Sequence, residues 1–315
     1  MAVLSKIPDT TGARIYRGYL ASADREERGY LGASVLGGEC TRALWYAFRW
    51  VYPMEELSGR KLRLFDTGHR EELRVINDLR RGGITVFGQQ TGFSALGGHL
   101  RGHIDGVVSG LPEAPKTPHL LEIKTHNDKS FKDLLVKGLK VSKPVHYAQM
   151  ILYMHQLEYA RGIYIAVNKN DESIYTERIS HSGFVKEAKA MLDKAEYIIL
   201  TSFAPSKLHE DQDKPSAYVC GWCPAKGVCH DGAWARVNCR TCVSATALLG
   251  GKDGEWYCEK HQKKLTPPEQ KAGCPCHLYL PSLVPGKQID ADPEAHTVTY
   301  LMHNGEEWTD GQRTS

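Results

Sequence analysis

Residues Gly98–Asn127 read GHLRGHIDGVVSGLPEAPKTPHLLEIKTHN, and this stretch decides the fold. Leu100 to Val108 is apolar and β-branched between glycine-rich ends. Leu120 to Thr125 repeats that character, and Pro112, Pro115 and Pro118 lie between. The pattern predicts a strand, a turn-rich connection and a second strand. Side chains two apart on a strand share a face, so Glu122 and Lys124 point together while Ile123 enters the core. If the strands pair, Asp105 comes beside Glu122. Two carboxylates and a lysine at one place suit a Mg²⁺ site with a charged helper. The same residues would also occur on the solvated face of an ordinary hairpin, so the rest of the chain has to decide.

The chain has 315 residues, enough for one large domain or a domain with a smaller module. Its net charge of +3 is too small to indicate a nucleic-acid partner by itself. No apolar run approaches the roughly 18–20 residues that span a bilayer. The N-terminus lacks the long apolar core of a secretory signal, so a cytoplasmic protein with no membrane partner is expected. Nine cysteines are present, eight of them between residues 220 and 276, in close pairs. In a reducing compartment such pairs favour metal over disulfides.

In chain order, residues 1–30 carry few structural signals. VLGGECTRALWYAFRWVY predicts a helix capped by Ser34, with Cys40 near its start as a small core residue. RLFDTGHREELRVINDLRRGGI predicts a second helix, capped by Asp66 or Thr67 and ended by Gly82-Gly83, with His69 and Glu72 on one face. After Asn127, the lysines at 129, 132, 137, 140 and 143 read as a solvated helix face or as a phosphate-contacting rim. Phe131 is a candidate base-stacking aromatic. VHYAQMILYMHQLEYA is a buried helix with Gln149 and Tyr153 on one face, and a glutamine there must find a partner or face a cavity. GIYIAVNKND and SIYTERIS pair as strands, and FVKEAKAMLDKAEYIIL is an amphipathic helix. The mixed α/β domain therefore extends to about residue 205.

Two cysteine clusters follow. CGWCPAKGVC supplies Cys220, Cys223 and Cys229, one ligand short of a four-coordinate site. The fourth is either the adjacent His230, giving a local zinc knuckle, or the remote Cys40, giving four cysteines suited to an iron–sulfur cluster. The second cluster is Cys239-x₂-Cys242-x₁₅-Cys258-x₂-His261, the spacing of a zinc ribbon or treble-clef-like site. Cys274, Cys276 and His277 replace His261, form part of another site or stay free. TVTYLMHNGEEW predicts a hairpin with Asn304-Gly305 at its turn.

With these pieces in order, the chain resembles the PD-(D/E)XK nuclease superfamily, closest to the RecB-like branch with an iron–sulfur cluster. That branch includes the CRISPR-associated iron–sulfur exonucleases and the AddB nuclease domain. The resemblance spans roughly residues 30–230: Cys40, GHREE with His69, HIDG with Asp105, EIK with Glu122 and Lys124, QMILY with Gln149 and Tyr153, then CGWCPAKGVC. Each motif is degenerate alone, and the ordered set is specific. Ile104 stands where the superfamily has its proline. The resemblance implies a restriction-endonuclease-like mixed sheet flanked by helices over residues 1–235, closed by a [4Fe–4S] cluster on Cys40, Cys220, Cys223 and Cys229. A zinc-binding module (236–280) and a tail (281–315) lie outside the usual domain.

The implied activity is a DNA exonuclease acting on single strands or ends in recombination, repair or phage DNA processing, with a helicase or recombination protein as a partner. Alternatives are a sequence- or structure-specific endonuclease and a non-catalytic DNA-binding adaptor. Mg²⁺ or Mn²⁺ would be held by Asp105, Glu122, His69 and the Ile123 carbonyl. Lys124, Gln149 and Tyr153 would complete the catalytic group.

Overall fold

The computed structural model describes residues 10–23, 26–180 and 182–311. The first nine residues, read above for a leader, and the last four of the tail lie outside them. Helix α1 (Thr11–Ala21) leads to a short strand β1 (Leu31–Gly32), then α2 (Ala33–Leu36), α3 (Thr41–Phe48) and the long α4 (Gly59–Arg81). Short strands β2 (Thr85–Phe87), β3 (Gly92–Ala95), β4 (Leu100–His103) and β5 (Gly106–Ser109) follow. Next come β6 (His119–His126), α5 (Asp128–Ser142), α6 (Pro144–Gln156), β7 (Gly162–Asn168), β8 (Ile174–Ile179) and α7 (Phe184–Leu200).

The main sheet runs β2-β5-β6-β7-β8 and is mixed: β6 and β7 are parallel, and the other neighbours are antiparallel. Parallel neighbours need a crossover, and α5 with α6 supplies it. The period-two pattern sorts β6 and β7 onto two faces. Leu121, Ile123, Ile163, Ile165 and Val167 pack with Val75 and Ile76 of α4. Leu120, Tyr164 and Ala166 belong to the larger core that includes α3, α6 and α7. Ile123 thus enters the core, as the alternation predicts.

Three local expectations change. The expected strand over Leu100–Val108 is two strands in two sheets, because β4 pairs with β1 and β3 while β5 pairs with β2 and β6. Asp105 sits at that break. The helix expected after Ser34 is interrupted at Gly37-Gly38. A Cβ on Gly37 would lie 2.7 Å from the Ala148 Cβ and 2.9 Å from the Val145 Cα, so glycine lets α2 approach α6. The new helix α3 is capped by Cys40, whose Sγ accepts from the Ala43 amide at 3.4 Å. Finally, α4 starts at Ser58, whose side chain accepts from the Lys61 amide. Asp66 and Thr67 are internal, and the Thr67 hydroxyl donates back to the Arg63 carbonyl.

Beyond α7, short helices α8 (Tyr218–Gly221) and α9 (Lys226–Cys229) carry the first cysteine cluster. Strands β9 (Ala245–Ala247), β10 (Trp256–Cys258) and β11 (Lys263–Leu265) form an antiparallel sheet, followed by α10 (Pro267–Ala272). A meander of β12 (Gly286–Asp292), β13 (Thr297–Met302) and β14 (Glu307–Asp310) ends the described chain, with Gly305 at positive φ in the expected hairpin turn.

The later elements share the large core with the earlier ones, for Trp256, Cys258, Leu265 and Tyr300 belong to the same cluster as Trp45 and Phe48. Two buried guanidiniums cross that junction. Arg240 donates to the Phe48 carbonyl at 2.9 Å, the Gly29 carbonyl at 3.0 Å and the Gln270 side chain, and lies 3.7 Å from the centre of the Trp50 ring. Arg49 donates to the Arg240 and Thr201 carbonyls. Burial pulls the Arg240 guanidinium down to about 9, and the nearby Arg49 charge adds to that.

The loop before β10 lies on the Gly97-Gly98 turn, where a Cβ on Gly98 would stand 2.1 Å from the Lys252 carbonyl oxygen. Replacing Arg240 by alanine strands two buried acceptors, the Phe48 carbonyl and the Gln270 side-chain oxygen, and the half-buried Gly29 carbonyl, each worth about 1–3 kcal/mol. The R240A protein is therefore expected to lose at least about 3 kcal/mol of stability. R240K, which keeps the charge and loses the planar fork, is expected to fall between. Urea denaturation of the three proteins checks this.

Candidate active site

An open groove of about 1110 Å³ lies along α4 beside the end of β6. Asp105, Ile123, Lys124, His69 and Glu72 all line it. The break between β4 and β5 turns Asp105 toward β6, and its Oδ2 accepts from the Ile123 amide at 2.6 Å. Glu122 is fully buried behind Lys124, and its Oε1 accepts from the Lys124 ammonium. Its other oxygen, Oε2, is buried without a hydrogen-bond partner among the described residues. Burial pushes the Glu122 carboxyl up to about 7, against the pull of Lys124, and the neighbouring Asp105 charge adds to the rise. Burial raises Asp105 as well, again opposed by Lys124. Burial alone would lower Lys124, but the Glu122 and Asp105 carboxylates hold it above its ordinary value.

The sequence-predicted residues therefore divide into two layers. His69, Asp105, Ile123 and Lys124 reach the groove. Glu122, Gln149 and Tyr153 lie behind it, buried. The Gln149 amide donates to the Tyr153 hydroxyl at 3.2 Å, which is the partner a glutamine in an apolar helix requires. The Tyr153 ring lies over Gly102, where a Cβ would meet its hydroxyl oxygen at 2.7 Å, so glycine is needed for that approach.

Glu72 adds a third carboxylate, held by the Gln90 amide at 2.9 Å. Its shared face with His69 was visible in the sequence, though its place beside Asp105 was not. At the far wall, the Tyr164 hydroxyl sits 2.8 Å from His126 Nε2 and 2.9 Å from His146 Nδ1. It has one proton to give, so one ring accepts it and the other donates its own N–H. Nothing in the local sequence marks this trio, because it joins β6, α6 and β7.

The lysine run also divides. Lys132 pairs with Asp128, Lys137 with Asp133 and Lys140 with Glu187, as on a solvated helix face. Lys143 and, from β7's end, Lys169 line the groove. Phe131 is buried in the core and is not a base-stacker, because its side of α5 packs on the sheet.

The first cysteine cluster closes over distance: Cys40, Cys220, Cys223, Cys229 and His230 line one small cavity. Both candidate fourth ligands are thus present. The second cavity is lined by Cys239, Cys242, Cys258, His261, Cys274, Cys276 and His277. Burial pushes the Cys239 thiol up to about 12, and Cys274, Cys242 and Cys258 add to it. His261 is exposed. No three His, Cys, Asp or Glu side chains among the described residues are gathered about one point as a closed ligand set. The donor sets nonetheless have the right chemistry: a buried unpartnered carboxylate oxygen for a hard cation, and grouped thiols for a soft one.

No family model matches the chain, and no curated protein matches it. Among solved structures, SSO0001 superposes with a TM-score of 0.40 and 14% identity over 70% of this chain and 96% of its own. The LHK-Exo complex with dAMP gives 0.38 and 15%, over 59% and 90%. The alkaline exonuclease LHK-Exo of Laribacter hongkongensis gives 0.33 and 16%, over 57% and 92%. At these values the likeness carries no argument about chemistry. Among the described residues no helix is long and apolar enough to cross a membrane.

Burial pushes His126 down to about 4, and burial also lowers His146, to about 3, and His99, to about 4. Their folded values lie below the ordinary 6.5, so the stability they give is present above pH 6.5 and is lost as pH falls toward 4. The raised Glu122 acts in the opposite sense across the same window. Thermal unfolding between pH 7 and 4.5 should show the melting temperature falling. The fall should flatten in the His126→Asn/His146→Gln double variant and steepen in Glu122→Gln.

Proposed function

We propose that the protein is a divalent-metal-dependent deoxyribonuclease that hydrolyses phosphodiester bonds, acting as an exonuclease on single-stranded DNA or DNA ends. The observation that carries this reading is the buried Glu122 with its unpartnered oxygen, set beside Asp105 and Lys124 at a groove with lysines on its rim. Asp105, Glu122, His69 and the Ile123 carbonyl are the groups that would hold Mg²⁺ or Mn²⁺. That ion, when bound, supplies an acidified water and a counter-charge for phosphate.

The Glu122 and Asp105 carboxylates hold Lys124 above its ordinary value, and its ammonium is placed to act as a charge and hydrogen-bond donor toward the phosphate. Gln149 and Tyr153 act from behind, hydrogen-bonded to each other, with the Tyr153 ring packed on Phe93 of β3 and Gly102 of β4. Asp105→Asn, Glu122→Gln and Lys124→Ala should each lower metal-dependent cleavage of end-labelled DNA by at least about a hundredfold. Circular dichroism should stay unchanged. Undiminished cleavage in any of the three would remove the assignment.

We further propose a [4Fe–4S] cluster on Cys40, Cys220, Cys223 and Cys229. Zinc is assigned to Cys239, Cys242 and Cys258 with Cys274 as the fourth thiol in place of the exposed His261. Protein purified anaerobically should be brown, and Cys40→Ala should remove both colour and iron. Elemental analysis should find zinc lost in Cys274→Ala and retained in His261→Ala. Zinc lost only in His261→Ala would restore the histidine as ligand, and a colourless protein holding zinc at the first cluster would favour His230 there.

A further inference from the structure

The two walls of the groove differ in chemistry. One wall is a single stripe of α4, at positions 64, 65, 68, 69, 72 and 73, which one helix face brings together. Leu64, Phe65 and Leu73 in that stripe are 53%, 47% and 59% exposed. α4 is otherwise rich in charge, GRKLRLFDTGHREELRVINDLRR, so three large apolar side chains held in water on its groove face need a reason. Gly68 lies among them, and a Cβ there would meet nothing. A glycine inside a helix costs about 0.5–1 kcal/mol against alanine. It leaves a notch between Phe65 and His69.

The other wall carries Lys143 and Lys169, with Lys124 at the floor beside Asp105. Lys169 is exposed and has no carboxylate partner among the described residues. Lys143 borders the groove with a largely buried side chain, 3.7 Å from Asp133, and its ammonium donates to the Ser142 hydroxyl at 2.7 Å.

A single nucleic-acid strand has the same asymmetry, with unpaired bases along one edge and phosphates along the other. A duplex turns phosphates outward on both edges and hides its base faces. We propose that Phe65, flanked by Leu64 and Leu73, is a base-stacking platform that selects single-stranded over duplex DNA at this site, with the phosphate chain following Lys169 on the opposite wall. This inference rests on the nuclease reading of the groove and adds the residue that sets its substrate class. Phe65 is the exposed aromatic at the groove, the position for which the sequence offered the buried Phe131.

The test uses the full chain carrying Asp105→Asn, so that binding is read without cleavage, with and without Phe65→Ala. The probes are a fluorescein-labelled dT₂₀ and a labelled blunt 20-base-pair duplex, read by anisotropy at several salt concentrations. Phe65→Ala should weaken dT₂₀ binding on the order of tenfold and leave duplex binding within about twofold. Phe65→Trp should restore it. The salt dependence of dT₂₀ binding should not change in Phe65→Ala, whereas Lys169→Ala should reduce its slope by roughly 0.7.

Phe65 is half exposed, so an unchanged melting temperature will show that the variant is folded. Equal weakening on both probes, or none on either, overturns the platform. If wild-type protein cleaves DNA while Phe65→Ala binds dT₂₀ normally, the platform alone fails. If the parent binds neither probe and wild-type protein does not cleave, the nuclease reading fails with it.

Discussion

The structure depends on a buried guanidinium with which no carboxylate among the described residues pairs directly. Arg240 replaces water with carbonyls from two distant segments, a glutamine side chain and the face of an indole. A planar fork of five donors can satisfy several acceptors at once, and the flat cation also stacks on Trp50. The cost of burial is visible in how far its proton affinity falls. Arg49 lies next to it and donates to its carbonyl, so two like charges share one buried layer. That arrangement is tolerable because aromatic faces line it: Trp45, Phe48, Trp50 and Trp256 all lie within cation–π range of one or the other.

The groove follows a similar principle with opposite charge. Glu122 is placed where ionisation is costly, on the inner face of a strand paired on both sides. Lys124 offsets one of its oxygens and leaves the other. Asp105 can stand beside it only because the chain changes sheets at that point. A continuous strand from Leu100 to Val108 would have kept Asp105 in one ladder. The break lets its carboxylate take the Ile123 amide.

The sequence made the chemistry legible where residue type and spacing are local. Period two placed Glu122 and Lys124 together and sent Ile123 to the core, and period 3.6 put Gln149 over Tyr153 and His69 beside Glu72. The ordered motifs also brought Cys40 to the later cysteines, a closure no local pattern contains. What stayed hidden depends on tertiary packing. Gly37-Gly38 looks harmless within an apolar run until α6 is seen pressed against it. Phe131 and Phe65 both sit in polar, charged neighbourhoods, and only the direction of each helix face separates a core residue from an exposed one. Tyr164, His126 and His146 meet across three elements. Arg240, between two cysteines of a metal-like motif, carries no sign of reaching residues 29 and 48.

The position of α3 has a consequence for how the protein is made. Its first turn opens from Cys40, which borders a cavity completed by residues 220–229, and its last residue gives its carbonyl to Arg240. A chain leaves the ribosome from its N-terminus, and segments pack as their partners emerge. α3 is synthesised well before its partners, and both of its ends wait for residues made some two hundred positions later. Until then the apolar faces of Trp45 and Phe48 lack their cover. Completion of the core thus follows synthesis of the site residues, and a nascent chain that has already made Asp105, Glu122 and Lys124 does not yet have the framework that holds them.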